Sequence, residues 1–149
     1  MMSLKLRSVV FRSVVYGLLF AAPASAQVEF RKGPGAQLGP FTEAVRAGNL
    51  LFLSGTIGID STGTLVPGGI KAETKQTLEN IRAVLRRNGL DMDRVVKCTA
   101  FVADIAEWPL MNEVYVTFFP KDKPARTAAG GVQLVRGARV EIECIAAMR

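Results

Sequence analysis

The sequence predicts one α+β domain, a two-layer sandwich in which a mixed β-sheet carries two helices on one face. Three observations support this fold class. The chain has 149 residues, 49% of them apolar and 21% charged, which suits a single domain with a hydrophobic core. Strand-like and helix-like patterns follow in the order strands, helix, strand, helix, strands. The sequence contains no internal repeat or low-complexity tract that would indicate a second domain.

The N-terminus predicts a secretory signal peptide over residues 1–26. Three basic side chains, those of Lys5, Arg7 and Arg12, precede an apolar run that ends in Ala-Ser-Ala at 24–26. The run is too short to span a bilayer, and the small residues form a cleavage site. We therefore expect a secreted mature domain of residues 27–149, periplasmic in a Gram-negative bacterium and free of the membrane. Its first residues, up to Gly39, are expected to be extended or loosely ordered.

Composition excludes several classes of function. Removal of residues 1–26 would lower the formal charge from +6 to +3, and no basic stripe with interleaved aromatic residues remains, which argues against nucleic acid as a partner. Histidine is absent from the sequence, which excludes Ser-His-Asp catalysis, Cys-His catalysis and two-histidine zinc sites. We expect neither a metal nor a cofactor, and chemistry based on carboxylates, arginine, hydroxyl groups, the backbone or water.

The first half of the domain predicts a hairpin and a helix. Two short strands are expected between residues 41 and 54, around a turn at Ala47-Gly48-Asn49, with a further short strand over 56–60. From 70 to 88, apolar residues recur at steps of three and four, which predicts an amphipathic helix that stops at Gly89. Its apolar stripe consists of Leu78, Ile81, Val84 and Leu85.

The second half predicts a strand over Val95–Val102, from its β-branched and aromatic content, and a helix over 107–118. Asp104 is a start signal for that helix, and its inward residues are Trp108, Met111, Val114 or Tyr115, and Phe118. The proline-containing segment 119–124 ends the helix and leads to a loop at Arg126. The last strands are expected over 130–135 and 139–148, joined by a turn at Arg136-Gly137.

The two cysteines lie too far apart for a Cys-x-x-Cys motif. Alternation places both on apolar strand faces, Cys98 with Val96, Ala100 and Val102, and Cys144 with Val140, Ile142 and Ala146. We interpret both as small core residues. A disulfide remains an open alternative if the two strands are neighbours in an oxidising compartment.

Three features could bear chemistry. Arg126 lies among small residues, where a guanidinium can bind a carboxylate in bidentate fashion, although a surface arginine is the simpler interpretation. Glu141 and Glu143 share one face of the final strand, where a solvated or ion-paired face is the simpler interpretation. Ser54-Gly55 ends a strand, and without a histidine Ser54 would donate or accept hydrogen bonds and would not be a nucleophile.

Four motifs, taken in order, resemble the Rid family, the reactive intermediate deaminases, which are also called YjgF-like. They are Leu38-Gly39-Pro40-Phe41, Leu51-Phe52-Leu53-Ser54-Gly55, the Pro-Ala-Arg-Thr sequence at 124–127, and Val140-Glu141-Ile142-Glu143-Cys144-Ile145-Ala146. The resemblance extends from about Gly33 to Met148. It implies a chorismate-mutase-like fold that associates as a homotrimer, with the sheets packed into a central barrel and the pockets at subunit interfaces.

The resemblance also implies roles for residues. Arg126 would anchor the carboxylate of a small-molecule substrate, Glu141 would position a water, and Ser54 and Gly55 would line the pocket, whereas Glu143 would be structural.

Two departures from the family pattern concern Phe41 and Ala128. Phe41 stands where active members commonly have a tyrosine, and Ala128 stands where many members have a cysteine. Both would still line the pocket, but the phenol hydrogen bond and the thiol are lost. We therefore expect a shifted substrate preference or lower activity.

The implied activity is hydrolysis of reactive 2-imino acids, or their enamine tautomers, to 2-keto acids and ammonia, as in 2-iminobutanoate/2-iminopropanoate deaminases. Positioning and charge stabilisation would suffice for such a labile substrate. The alternative is a protein that binds a small carboxylate or metabolite in the same pocket without turnover, which export from the cytosol would favour. Ribonuclease activity has also been assigned to the family. The sequence contains neither a histidine nor a basic stripe that would support it.

Overall fold

The structure, a computed structural model, describes residues 27–34 and 40–148, which form a mixed sheet with two helices on one face. The strands are β1 (Val28–Arg31), β2 (Ala44–Ala47), β3 (Leu50–Leu53), β4 (Thr56–Ile57), β5 (Val95–Val102), β6 (Ala125–Gly130) and β7 (Val140–Ala147). The helices are α1 (Gly69–Arg87) and α2 (Trp108–Tyr115). Short 3₁₀ turns occur at Met92–Arg94, Ile105–Glu107, Val116–Phe118 and Val135–Gly137. The predicted α+β sandwich is confirmed.

The strands of the sheet lie in the order β1-β2-β3-β7-β5-β6, and β4 also pairs with β7. All these pairings are antiparallel except that of β5 with β6, which is parallel. The sheet is therefore mixed, with β3 and β7 at its centre, β5 on the other side of β7, and β6 at one edge. The central position of β7 places its side chains beside both the β3–β4 segment and β5.

The core lies between one face of the sheet and the two helices. The predicted stripe of α1 is buried, with Leu78, Ile81 and Leu85 each 0% exposed. The helix ends as the sequence predicts, because Gly89 adopts a φ of 74° that favours glycine. On α2 and the turn after it, Met111, Tyr115 and Phe118 are also buried. Within residues 27–34 and 40–148, no helix lies on the other face of the sheet, which exposes apolar side chains, including Leu50 and Phe52.

Two predictions at the N-terminus fall in part outside the described residues. The signal peptide at 1–26 lies outside them, as do Leu38 and Gly39 of the first motif. The segment from 27, expected to be loosely ordered, contains β1, which pairs antiparallel with β2. Pairing with β2 provides hydrogen-bond partners for the backbone N–H and C=O groups of β1. The four residues of β1 alone give no signal of this pairing.

The prediction of a loop at Arg126 and a strand over 130–135 is wrong. Residues Ala125–Gly130 form β6, and Gly131 leaves the strand with a φ of 76°. The sequence of β6 is rich in alanine, which has low strand propensity. The strand forms because its backbone pairs in parallel with β5, from Lys97 opposite Ala125 to Val102 opposite Gly130.

Cys98 and Cys144 form a disulfide, with an S–S distance of 1.99 Å. Both are core residues, as predicted, and of the two interpretations left open the paired one is present. They lie directly opposite each other on β5 and β7, although 46 positions separate them in sequence. Val96, predicted to share the face of Cys98, is instead 45% exposed because the register shifts between Val95 and Lys97.

Candidate functional site

Strand β7 presents its two glutamates on the face of the sheet that has no helices. Val140, Ile142, Cys144 and Ala146 alternate with them and are buried in the core. Glu141 is half-buried and Glu143 is exposed. The predicted alternation is therefore confirmed, and the two carboxylates differ in their surroundings although they lie on one face.

Glu141 lies against Gly55. Strand β4 pairs with β7 so that Ile57 is opposite Glu141, which brings the preceding residues of the β3–β4 connection beside the carboxylate. A Cβ atom built on Gly55 would overlap Oε1 of Glu141. Gly55 is therefore required for space, and a larger residue there would displace the carboxylate.

Ser54 ties this connection to the segment that contains Phe41. Its Oγ donates a hydrogen bond to the carbonyl oxygen of Thr42 at 2.5 Å, and its backbone N–H donates to the carbonyl of Glu43 at 3.1 Å. The hydroxyl hydrogen is thus engaged, and the oxygen can still accept a hydrogen bond. Phe41 is 63% exposed, which leaves its ring free to contact a ligand or another subunit.

Arg126 lies on the opposite side of the sheet, where it packs on α2. Its guanidinium carbon is 4.4 Å from the ring centroid of Trp108 and 4.4 Å from that of Tyr115. Its Nη2 donates a hydrogen bond to Oδ1 of Asn112 at 2.9 Å, and its Nη1 is buried without a partner in the described residues. Ala128 follows two residues later on the same face of β6.

Burial raises the pKa of Tyr115 to about 12, and the charge of Arg126 opposes this rise only in part. The phenol is therefore neutral throughout the range in which the protein would function. A neutral ring contacts the guanidinium through its face, as in a cation–π interaction, and does not cancel its charge.

The predicted site residues form two groups within one protomer. Across the sheet, Arg126 is opposite Cys98 on β5, whereas Glu141 is opposite Phe101, three residues farther along that strand. This register separates their backbones by about 10 Å along the strands and about 10 Å across them. The two side chains also leave opposite faces. One protomer therefore brings Glu141, Gly55 and Ser54 together but does not bring Arg126 to them.

A cavity of about 140 Å³ lies near the centre of the open face of the sheet but contains none of the predicted catalytic residues. Its lining consists of Phe52, Leu53, Lys97, Cys98, Thr99, Glu143, Cys144 and Ile145. In residues 27–34 and 40–148, no group of three or more metal-ligating side chains occurs, and no helix is long and apolar enough to cross a membrane.

The partners of Arg126 on α2 were not among the predicted site residues. Trp108 and Tyr115 were expected only as inward apolar residues, and Asn112 was not singled out. The available signal was the spacing of 108, 112 and 115, which places these three residues on one face of a helix, with an amide in an otherwise apolar stripe.

Comparisons with known proteins agree with this architecture. The family model described as Endoribonuclease L-PSP matches residues 31–148. The mouse (Mus musculus) protein named 2-iminobutanoate/2-iminopropanoate deaminase is 44% identical over 116 residues, which cover 77% of this chain and 85% of that protein. The Arabidopsis thaliana protein named Reactive Intermediate Deaminase A, chloroplastic, is 38% identical over 141 residues, or 92% of this chain and 75% of that protein.

Solved structures also agree with this architecture. The E. coli TdcF structure with bound serine is 28% identical, with a TM-score of 0.70, and the match covers 82% of this chain and 96% of TdcF. The similarity therefore extends over almost the whole described part of the chain.

The comparisons correct the prediction of a secretory signal peptide and a periplasmic location. The match to the Arabidopsis protein covers 92% of the chain, more than residues 27–149 alone contain, so it extends into the segment that was interpreted as a removable signal. The prediction depended on a basic, apolar and small-residue composition, which is not specific to secretion, and we withdraw it.

Proposed function

Because this chain belongs to the Rid family, whose family model is described as endoribonuclease L-PSP, we propose that it hydrolyses reactive 2-imino acids, or their enamine tautomers, to 2-keto acids and ammonia. The names of the mouse and Arabidopsis relatives support this class of reaction. The observation that carries the proposal is a pair of uncompensated charges. Among the described residues, neither Arg126 nor Glu141 forms an ion pair.

The proposed site lies between protomers of a homotrimer. Arg126 is on the edge strand β6, and Glu141 is on the face of the sheet without helices. Both positions are available to a second copy of the chain. The exposed apolar residues on the open face, such as Phe52 at 40% exposed, favour packing against another subunit.

In the proposed reaction, Arg126 binds the substrate carboxylate and Glu141 orients a water onto the imine carbon. The water oxygen forms a bond to that carbon while Glu141 accepts a proton, and Glu141 returns this proton to the imine nitrogen, which gives a carbinolamine. The hydroxyl proton then passes through Glu141 to the amine nitrogen as the C–N bond breaks, so that ammonia leaves and a 2-keto acid remains. One water is consumed for each ammonia released.

Phe41 and Ala128 set the expected limits of this activity. Phe41 can provide an aromatic wall but no hydroxyl group, and Ala128 leaves more room than a cysteine would. We therefore expect a slower reaction, or a preference for bulkier substrates, than in relatives with tyrosine and cysteine at these positions. Phe41→Tyr is the matched variant that restores the phenol.

The test couples the purified protein to an amino-acid oxidase that generates the imine, and semicarbazide trapping measures its decay. We expect faster decay with wild type than with buffer. Arg126→Ala should lower kcat/KM at least about a hundredfold because charge-assisted hydrogen bonds to the carboxylate are lost. Glu141→Gln should lower kcat by about a hundredfold or more.

Gly55→Ala provides a second structural test, because its methyl group would displace Glu141 without removing it. Glu143→Gln is the matched control, since this carboxylate lies on the same face of β7 but is exposed and away from Gly55.

Equal imine decay with wild type and Arg126→Ala, or with wild type and buffer, would refute the deaminase proposal. Carboxylate binding without imine decay would leave the binding protein as the function. Ribonuclease activity, which the description of the family model names, would have to proceed without histidine, because the sequence has none.

A further inference from the structure

We infer that Trp108, Asn112 and Tyr115 form a seat on α2 that orients the guanidinium of Arg126, with Asn112 as the positioning residue that sets the affinity for a substrate carboxylate. The inference rests on the proposed function of Arg126 as the carboxylate anchor. It assigns to α2 a role beyond packing in the core.

The seat fixes the guanidinium on three sides. Trp108 and Tyr115 each place a ring centroid 4.4 Å from its central carbon, and Asn112 accepts a hydrogen bond from Nη2 at 2.9 Å. Two rings restrict the plane, and the single hydrogen bond restricts rotation within it. Asn112 therefore determines which edge of the guanidinium is presented away from α2.

All three partners are uncharged, in contrast to those of Arg87 and Arg139. Arg87 pairs with Glu43, and Arg139 pairs with Glu107 at 2.5 Å. The neutral amide of Asn112 holds Arg126 without cancelling its charge, so the positive charge remains available to an anion from outside the chain. An aspartate at this position would hold the same nitrogen but would compete with the substrate.

The seat also leaves the guanidinium incompletely satisfied. Nη1 is buried and has no acceptor among the described residues, which is costly for a charged donor. A carboxylate that reaches this edge of the guanidinium can supply the missing acceptor. The hydrogen bond from Nη2 to Asn112 keeps the guanidinium in the orientation in which Nη1 meets the ligand.

Trp108 provides a direct assay, because it is the only tryptophan in the sequence. Its emission should respond to a carboxylate bound to the guanidinium stacked on it. We propose titration of the full chain with 2-oxobutanoate, a stable 2-keto acid, with N-acetyltryptophanamide as the control for collisional quenching. Wild type should give a saturable change in emission, and Arg126→Ala should give none.

Asn112→Ala should weaken 2-oxobutanoate binding and raise KM for imine hydrolysis by about tenfold, with kcat within about twofold, because one hydrogen bond to a charged group is lost. Asn112→Asp, which is nearly isosteric and should preserve the fold, should weaken binding further. Glu113→Gln is the matched control on the same helix: Glu113 pairs with Lys71, and its loss should leave both constants unchanged.

The inference is overturned if wild type gives no saturable response, or if both Asn112 variants bind 2-oxobutanoate as wild type does. It is also overturned if the variants lower kcat and thermal stability while the binding constant is constant. Failure of the proposed function looks different. In that case imine decay is not accelerated by wild type, but the Trp108 titration still depends on Arg126 and Asn112.

Discussion

At the scale of single residues, the contact between Tyr115 and Arg126 shows how a buried side chain can preserve a neighbouring charge. An ionised phenol beside the guanidinium would neutralise it. Burial raises the pKa of Tyr115 to about 12 from its usual 10.0, which extends the pH range of the neutral phenol on the alkaline side. At neutral pH the phenol is uncharged with either pKa, so the effect of burial can be observed only at high pH.

The raised pKa predicts a loss of stability at high pH that depends on Tyr115. In the unfolded chain the phenol ionises near pH 10.0, whereas in the folded chain it ionises near pH 12. Between these values the unfolded state loses its proton first, so the free energy of unfolding of wild type should fall as pH rises from 10 to 12. Tyr115→Phe should lose less over this window, measured by urea unfolding at each pH.

At pH 7, Tyr115→Phe should be as stable as wild type to within about 1 kcal/mol. The ring is kept, and the hydroxyl oxygen that is removed is buried and has no partner in the described residues. Tyr16, the second tyrosine of the sequence, remains in both proteins and contributes equally to the comparison. Parallel pH profiles for the two proteins would contradict the raised pKa.

At the scale of elements, the disulfide joins the neighbouring strands β5 and β7. The bond closes a segment of 46 residues that contains α2 and β6. Reduction, or the double variant Cys98→Ala/Cys144→Ala, should lower the free energy of unfolding by about 2–4 kcal/mol, because the unfolded chain regains the freedom that the loop removes. Denaturant unfolding with and without dithiothreitol measures this effect.

The double variant is also the control for the reductant, since dithiothreitol should leave its unfolding midpoint unchanged. Alkylation of the unfolded wild-type chain under non-reducing conditions should modify neither cysteine. Two alkylated thiols, or identical midpoints for oxidised and reduced wild type, would show that the strands are not covalently joined.

Elements with strong patterns could be predicted from the sequence, and those that depend on pairing could not. The apolar repeat of α1 and the alternation on β7 are local signals that bury large side chains, so both were predicted with nearly correct bounds. β6 has no such signal in its six residues, Ala-Arg-Thr-Ala-Ala-Gly. These residues form a strand because their backbone pairs with that of β5. The disulfide likewise depends on the register of β5 with β7.

At the scale of the whole molecule, the sequence could identify the members of the candidate site but not their arrangement. The order of motifs indicated Arg126 and Glu141 as partners, and this pairing remains a prediction. The sheet directs Arg126 toward α2 and Glu141 toward the opposite face, a separation that follows from the parallel register of β6 and cannot be derived from spacing in the chain. If Arg126 and Glu141 act together, as we propose, a complete site requires two protomers.

This requirement can be tested by mixing two inactive variants, Arg126→Ala and Glu141→Gln. Each variant retains the residue that the other lacks, so a mixed cyclic trimer contains interfaces with an intact arginine and an intact glutamate. Random assembly from equal amounts leaves about one quarter of the interfaces complete, so co-refolded protein should regain about one quarter of wild-type imine decay. The separately refolded variants, combined without subunit exchange, are the control and should stay inactive. If each site belonged to a single protomer, every site would lack one residue and co-refolding would restore nothing, which would contradict the shared site.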